Sequence, residues 1–109
     1  MALEIIYNKD AWQGEIKQLY ITKSTAASHE LIAAVAGKRI EVLKMLVYAA
    51  GTQQILFTSD SDSICQIGNT GVLTYLELAG FITNIGAAFK ITLGQAIATY
   101  FYIQYVERD

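Results

Sequence analysis

The chain closes on AIATYFYIQYVERD, residues 96–109, and no other stretch constrains the fold as strongly. Read with a period of two, Ile97, Thr99, Phe101, Ile103 and Tyr105 point one way, and Ala98, Tyr100, Tyr102, Gln104 and Val106 point the other. A strand with one solvated face carries a polar residue at every second position. This strand is apolar or aromatic on both faces, so both need cover. If Phe101, Ile103 and Tyr105 fill a core, then Tyr100, Tyr102 and Val106 need a second partner. Burying two such rings and a valine removes ~300 Å² of apolar area, on the order of 7 kcal/mol before association costs. The cover is either a sister chain, through Tyr100, Tyr102 and Val106, or the chain's own N-terminal segment, residues 1–24.

Composition points the same way. The 109 residues are 53 % apolar and only 17 % charged, against roughly a quarter charged in typical soluble domains. So few charges cannot cover a domain surface. A domain of this length buries roughly two-thirds of its unfolded surface and needs no staple. The net charge of −2 comes without a basic run, so nothing suggests a nucleic-acid-tracking surface. One cysteine, Cys65, excludes an internal disulfide. The start, MALEIIYNKD, carries Glu4 and no basic segment, unlike a signal peptide. The uncharged run Ile91–Val106 is too short for a membrane helix. A soluble protein with no membrane partner is the expectation.

There is no proline, and from Gly37 onward the glycines recur at strand-plus-turn intervals. Residues 54–59 (QILFTS), 63–68, 72–78 and 88–93 read as strands, with DSDS as a turn and GNTG as a hairpin turn between the second and third. Leu3–Tyr7 and Ile16–Thr22 also read as strands. The segments TAASHELIAAVAG and RIEVLKMLVYAAG are ambiguous. Their Ala, Leu, Glu and Lys content and closing glycines suit helices, yet Arg39–Val47 shows no 3.6-residue stripe. Propensity leaves helix and strand both open over residues 28–50.

ELIAAVAGKRIEVLKMLVYAAGTQQILFTSDS resembles a pattern in small structural proteins of tailed bacteriophages. There an L-x-x-A-V-x-G-K-x-I-x-V-L segment leads into a strand, followed by an Ala/Gly turn and a T/Q-x-x-F-x-S segment. Gly86-Ala87-Ala88-Phe89-Lys90-Ile91-Thr92-Leu93 and the ending Tyr105-Val106-Glu107 extend the resemblance over residues 30–107. The chain departs from the pattern at LTYLELAGFITN, which replaces a glycine-rich loop, and at Phe81, which stands where a tryptophan is usual. The resemblance implies an all-β antiparallel sandwich of jelly-roll type, with residues 38–50 as strand. It also implies a virion protein on the phage head surface, made in the host cytoplasm, that decorates or cements the shell as a homotrimer. Residues 25–109 would form the sandwich and residues 1–24 an extended N-terminal arm. That arm would meet the major capsid protein lattice through Ile5, Tyr7 and Trp12.

Reactive chemistry finds little footing. Gly37-Lys38 lacks the earlier glycine (Ile32 stands there) and the following hydroxyl (Arg39) of a phosphate loop. His29 is the only histidine, too few for an imidazole zinc site, and Ser28 beside it would face the other way in a strand. Cys65 in SICQI suits a small buried hydrophobe. Asp60 and Asp62 lack the further ligands and closing Glu of a calcium loop. No catalytic, metal or cofactor residue is expected, and the chain reads as a non-enzyme. Two rival readings stand beside decoration. One is a fibre-base or host-glycan-binding sandwich with an aromatic site around Trp12, Tyr75 or Phe81. The other is an α+β protein with helices at 28–50.

Overall fold

The computed structural model describes residues 15–77 and 81–108. They form eight strands: β1 (Lys17–Lys23), β2 (Ser28–Ile32), β3 (Arg39–Ala49), β4 (Thr52–Ser59), β5 (Asp62–Thr70), β6 (Thr74–Glu77), β7 (Phe89–Leu93) and β8 (Thr99–Arg108). Two antiparallel four-stranded sheets result, ordered β1-β8-β3-β6 and β2-β7-β4-β5. The pairs β1·β8, β2·β7, β3·β6 and β4·β5 are those of one long hairpin folded at the β4–β5 turn. Adding β3·β8 and β4·β7 rolls that hairpin into a jelly-roll sandwich. Sequence segment 1–14, with the strand expected at Leu3–Tyr7, lies outside the described residues. Residues 17–23 join the first sheet as an edge strand beside β8, not as a layer over its face.

The helices weighed for residues 28–50 do not form; β2, β3 and the start of the β4 crossover occupy that stretch. Local propensity loses because β3 buries Ile40, Val42, Met45, Val47 and Ala49 in strand alternation, with Leu43 as a bulge that shifts the phase. The GNTG hairpin is also absent. β5 pairs with β4 and β6 with β3, so this segment carries the chain from one sheet to the other. The one hairpin among the described strands is β4–β5. Asp60 takes φ 49° in its turn, a left-handed conformation that Asp tolerates.

The core lies between the sheets. Ile40, Val42, Met45, Val47, Phe101 and Ile103 come from the first sheet, and Ile32, Ile55, Phe57, Phe89, Ile91 and Leu93 from the second. Phe57 stacks on Phe89 with centroids 6.0 Å apart and meets the edge of Phe81 at 5.4 Å.

Buried polar side chains pin the crossovers, because a jelly roll must turn backbone at both ends of a dry core. Gln53, on β4, is buried; its Oε1 accepts from Gln95 N at 2.8 Å and its Nε2 donates to Gln95 O at 2.8 Å and Thr99 Oγ1 at 3.2 Å. Asn69 does the same for the β5–β6 crossover: Oδ1 accepts from Ala49 N and Gly71 N, each 3.1 Å away, and Nδ2 donates to Val72 O at 2.7 Å. At the opposite end Ser59 Oγ accepts from Asn84 N at 2.9 Å, and Asp60 Oδ1 accepts from Ala88 N at 3.1 Å.

Replacing Gln53 with Ala removes a buried carboxamide and its bonds to Gln95 and Thr99, so Gln53→Ala is expected to destabilise the fold by about 1–3 kcal/mol. Urea unfolding with an unchanged m-value is the check; a loss below about 0.5 kcal/mol would mean that water replaces the carboxamide.

Candidate functional site

Register, not sequence proximity, builds the most distinctive surface of the molecule. Residues directly opposite one another in an antiparallel ladder share a face. Tyr20 on β1 stands opposite Tyr102 on β8, Tyr102 opposite Leu46 on β3, and Leu46 opposite Tyr75 on β6. An apolar row thus crosses all four strands on the outside of the first sheet. A second row beside it runs Thr22, Tyr100, Tyr48. The corresponding row on the outside of the second sheet is Ser28, Thr92, Leu56, Gln66, with Glu30, Lys90, Thr58 and Ser63 beside it. One outer face is therefore polar and ordinary, and the other is aromatic.

The aromatic face is exposed. Tyr20 is 78 % accessible, Tyr75 51 %, Tyr100 47 % and Tyr48 38 %, with Leu73 exposed in the crossover at its border. The rings pair across strands: Tyr20 and Tyr102 lie 4.5 Å apart between centroids and Tyr48 and Tyr100 5.9 Å, both tilted by about a third of a right angle. Between the pairs runs a shallow groove of about 210 Å³, lined by Tyr20, Leu46, Tyr48, Leu73, Tyr100 and Tyr102. Tyr102 OH accepts from Gln104 Nε2 at 2.8 Å, which holds that ring at the rim. The arrangement offers ring faces and little else, so its chemistry is burial.

Tyr100 and Tyr102, expected on the outward side of the last strand, both lie on this face. Val106 shares their side by register, opposite Glu41, but has no accessible surface. It therefore contributes no area to an outer contact. The Glu41–Arg108 ion pair, 2.6 Å, runs along the same side at that end. Sequence reasoning missed Tyr20, Leu46 and Tyr48, and it named Tyr75 only for an aromatic sugar site with Trp12 or Phe81. Alternation within β1 and β3 hinted that Tyr20 and Tyr48 face outward, but their meeting depends on lateral register. Ile5, Tyr7 and Trp12 lie outside the described residues.

The remaining candidates are placed as follows. His29 is half-buried, with Nε2 2.9 Å from Thr25 O and 3.1 Å from Thr25 Oγ1. The Asp62 carboxylate accepts from Asn84 Nδ2 at 2.9 Å, so both acidic residues of the β4–β5 turn hold the 84–88 loop. Among the described residues no group of three or more His, Cys, Asp or Glu side chains gathers to hold a metal. Phe81 packs on Phe57 and Tyr75 sits in a strand of the first sheet, so these two do not meet in one loop-borne aromatic site. Lys17 Nζ meets Glu107 Oε1 at 2.7 Å and ties the edge strand to β8; this carboxylate holds the lysine pKa above its usual value.

Cys65, opposite Phe57 on β5, is half-buried, and burial pushes its thiol pKa up. Less of it is thiolate at neutral pH, so alkylation by iodoacetamide is expected to be slower in the folded chain than in urea, with its pH profile displaced upward. Superimposable profiles would show that the thiol stands in water.

No protein-family model matches the chain, and no curated protein matches it in sequence.

Proposed function

We propose that this chain is a non-enzymatic structural protein of a tailed-phage particle, a decoration or cement subunit that binds the head shell and reinforces it. The observation that carries the reading is the aromatic outer face of the β1-β8-β3-β6 sheet, set against the polar outer face of its partner sheet. An apolar face of this extent on a soluble domain is a contact surface or an aggregation liability. The eight-stranded jelly-roll order and the resemblance over residues 30–107 support the phage setting. Mechanically, the subunit would work by burying area, repeated at many equivalent positions on one shell, so that modest affinity per site adds up to firm attachment. Self-association would use the Tyr100 and Tyr102 face. Contact with the major capsid lattice would use the N-terminal residues Ile5, Tyr7 and Trp12, laid along a neighbour by strand addition.

A fibre-base or glycan-binding module is the second reading, favoured by the tyrosine-lined groove, whose ring faces could stack on a sugar. The nearly complete lack of polar lining weighs against it, because sugars are oriented by hydrogen bonds.

Cosedimentation with undecorated heads of the phage that encodes the chain is the test. The full chain is expected to pellet with the heads, and a chain lacking residues 1–14 to stay in the supernatant with its fold intact. Full-chain protein that ignores heads but binds a glycan array would replace decoration with the second reading. Retained binding by the shortened chain would withdraw the roles of Ile5, Tyr7 and Trp12.

A further inference from the structure

We propose that the aromatic face is where two copies of this chain meet, sheet against sheet, in a closed twofold pair. The inference builds on reading that face as a contact surface, and it does not need the phage setting. Its first support is area. A tyrosine side chain carries about 200 Å², so the exposed parts of Tyr20, Tyr48, Tyr75 and Tyr100, with Leu73, leave roughly 500 Å² of mainly apolar surface. That is toward the upper end of what monomers leave in one patch, typically about 300–600 Å². Two copies covering each other would bury on the order of 1,000 Å² in total, about the size that a specific interface must clear.

The second support is chemistry. The rows Tyr20, Tyr102, Leu46, Tyr75, across four strands, and Thr22, Tyr100, Tyr48, across three, contain no charged side chain. The nearest register row, Gln18, Gln104, Lys44, Glu77, brings two charged residues of opposite sign to the border of the patch. Another copy thus meets no buried charge, and the net charge of −2 gives two copies little to repel. A twofold axis lying in the interface along the strands would set Tyr20 of one copy against the β6 side of the other. Tyrosine suits this role because its ring is buried while its hydroxyl keeps a partner at the edge.

The third support is shape. A sheet face is broad, and one opposing sheet covers it completely at the usual spacing of about 10 Å. In a ring of three, each copy presents unlike surfaces to its two neighbours, and a single flat face is covered only in part. The pair therefore departs from the homotrimer that the sequence resemblance implies.

Light scattering after gel filtration of the full chain tests the proposal. The expected mass is twice the 12.0 kDa of one chain. Tyr20→Glu/Tyr100→Glu is expected to give the mass of one chain with an unchanged circular dichroism spectrum and a urea midpoint that no longer depends on protein concentration. Gln66→Glu, on the polar face of the other sheet, is expected to keep the pair. A one-chain mass at about 100 μM, a three-chain mass, or a pair that survives the double substitution would overturn the proposal. A monomer that pairs only once residues 1–14 are removed would show that the chain's own N-terminal segment covers the face, and would overturn it too. Head binding is read separately: a pair that ignores heads fails the decoration reading alone, and a monomer that binds heads fails this one alone.

Discussion

The pairing of β3 with β8 is the contact on which the rest of the sandwich depends. These are the two longest strands, and they run in register from Arg39 opposite Arg108 to Ala49 opposite Thr99, with one bulge at Leu43. One side of this ladder gives the core Met45 with Ile103 and Val47 with Phe101; the other gives the outside Leu46 with Tyr102 and Tyr48 with Tyr100. Without it β1 would keep only β8 and β6 only β3, and neither two-stranded ribbon would present a face wide enough to bury a core. The ladder joins residues about sixty positions apart, so its loop-closure entropy is repaid only when both faces of the sandwich close.

Once that ladder is in place, the crossovers become the weak points. Nearly every connection passes from one sheet to the other, and each passage leaves backbone amides and carbonyls near a dry core. Gln53 and Asn69 meet that demand from within, each bonding a crossover backbone with both ends of one carboxamide. Ser59, Asp60 and Asp62 do so at the other end through the 84–88 loop. Side chains that look like candidate ligands in the sequence are thus the fittings of the jelly roll. The hydrogen bonds to the 84–88 loop give the clustering of Ser and Asp at that turn a structural reason.

The two outer faces divide the molecule's properties. The second sheet meets water through Ser28, Glu30, Lys90, Thr92 and Gln66. The first sheet places Tyr20, Tyr48, Tyr75, Tyr100 and Tyr102 on one surface, five of the chain's seven tyrosines. The apolar excess of the composition is therefore concentrated where a partner can bury it. That concentration links the fold to its proposed work as a contact module.

By itself the sequence determined the strand character of the second half, since Phe89, Ile91 and Leu93 alternate with Lys90 and Thr92, and Phe101 and Ile103 with Tyr100 and Tyr102. It also determined that the last strand carries apolar residues on both sides, because a period of two is a local property of the chain. The secondary structure of residues 28–50 was decided only by tertiary structure: their Ala, Leu, Glu and Lys content suits a helix, and burial of β3 between two neighbours overrode it. So was the role of GNTG, because turn residues mark where a chain bends and not which strands it joins. The aromatic face belongs to the same class. Tyr20, Tyr75 and Tyr102 are far apart in sequence, and only the lateral register of four strands lays them in one row.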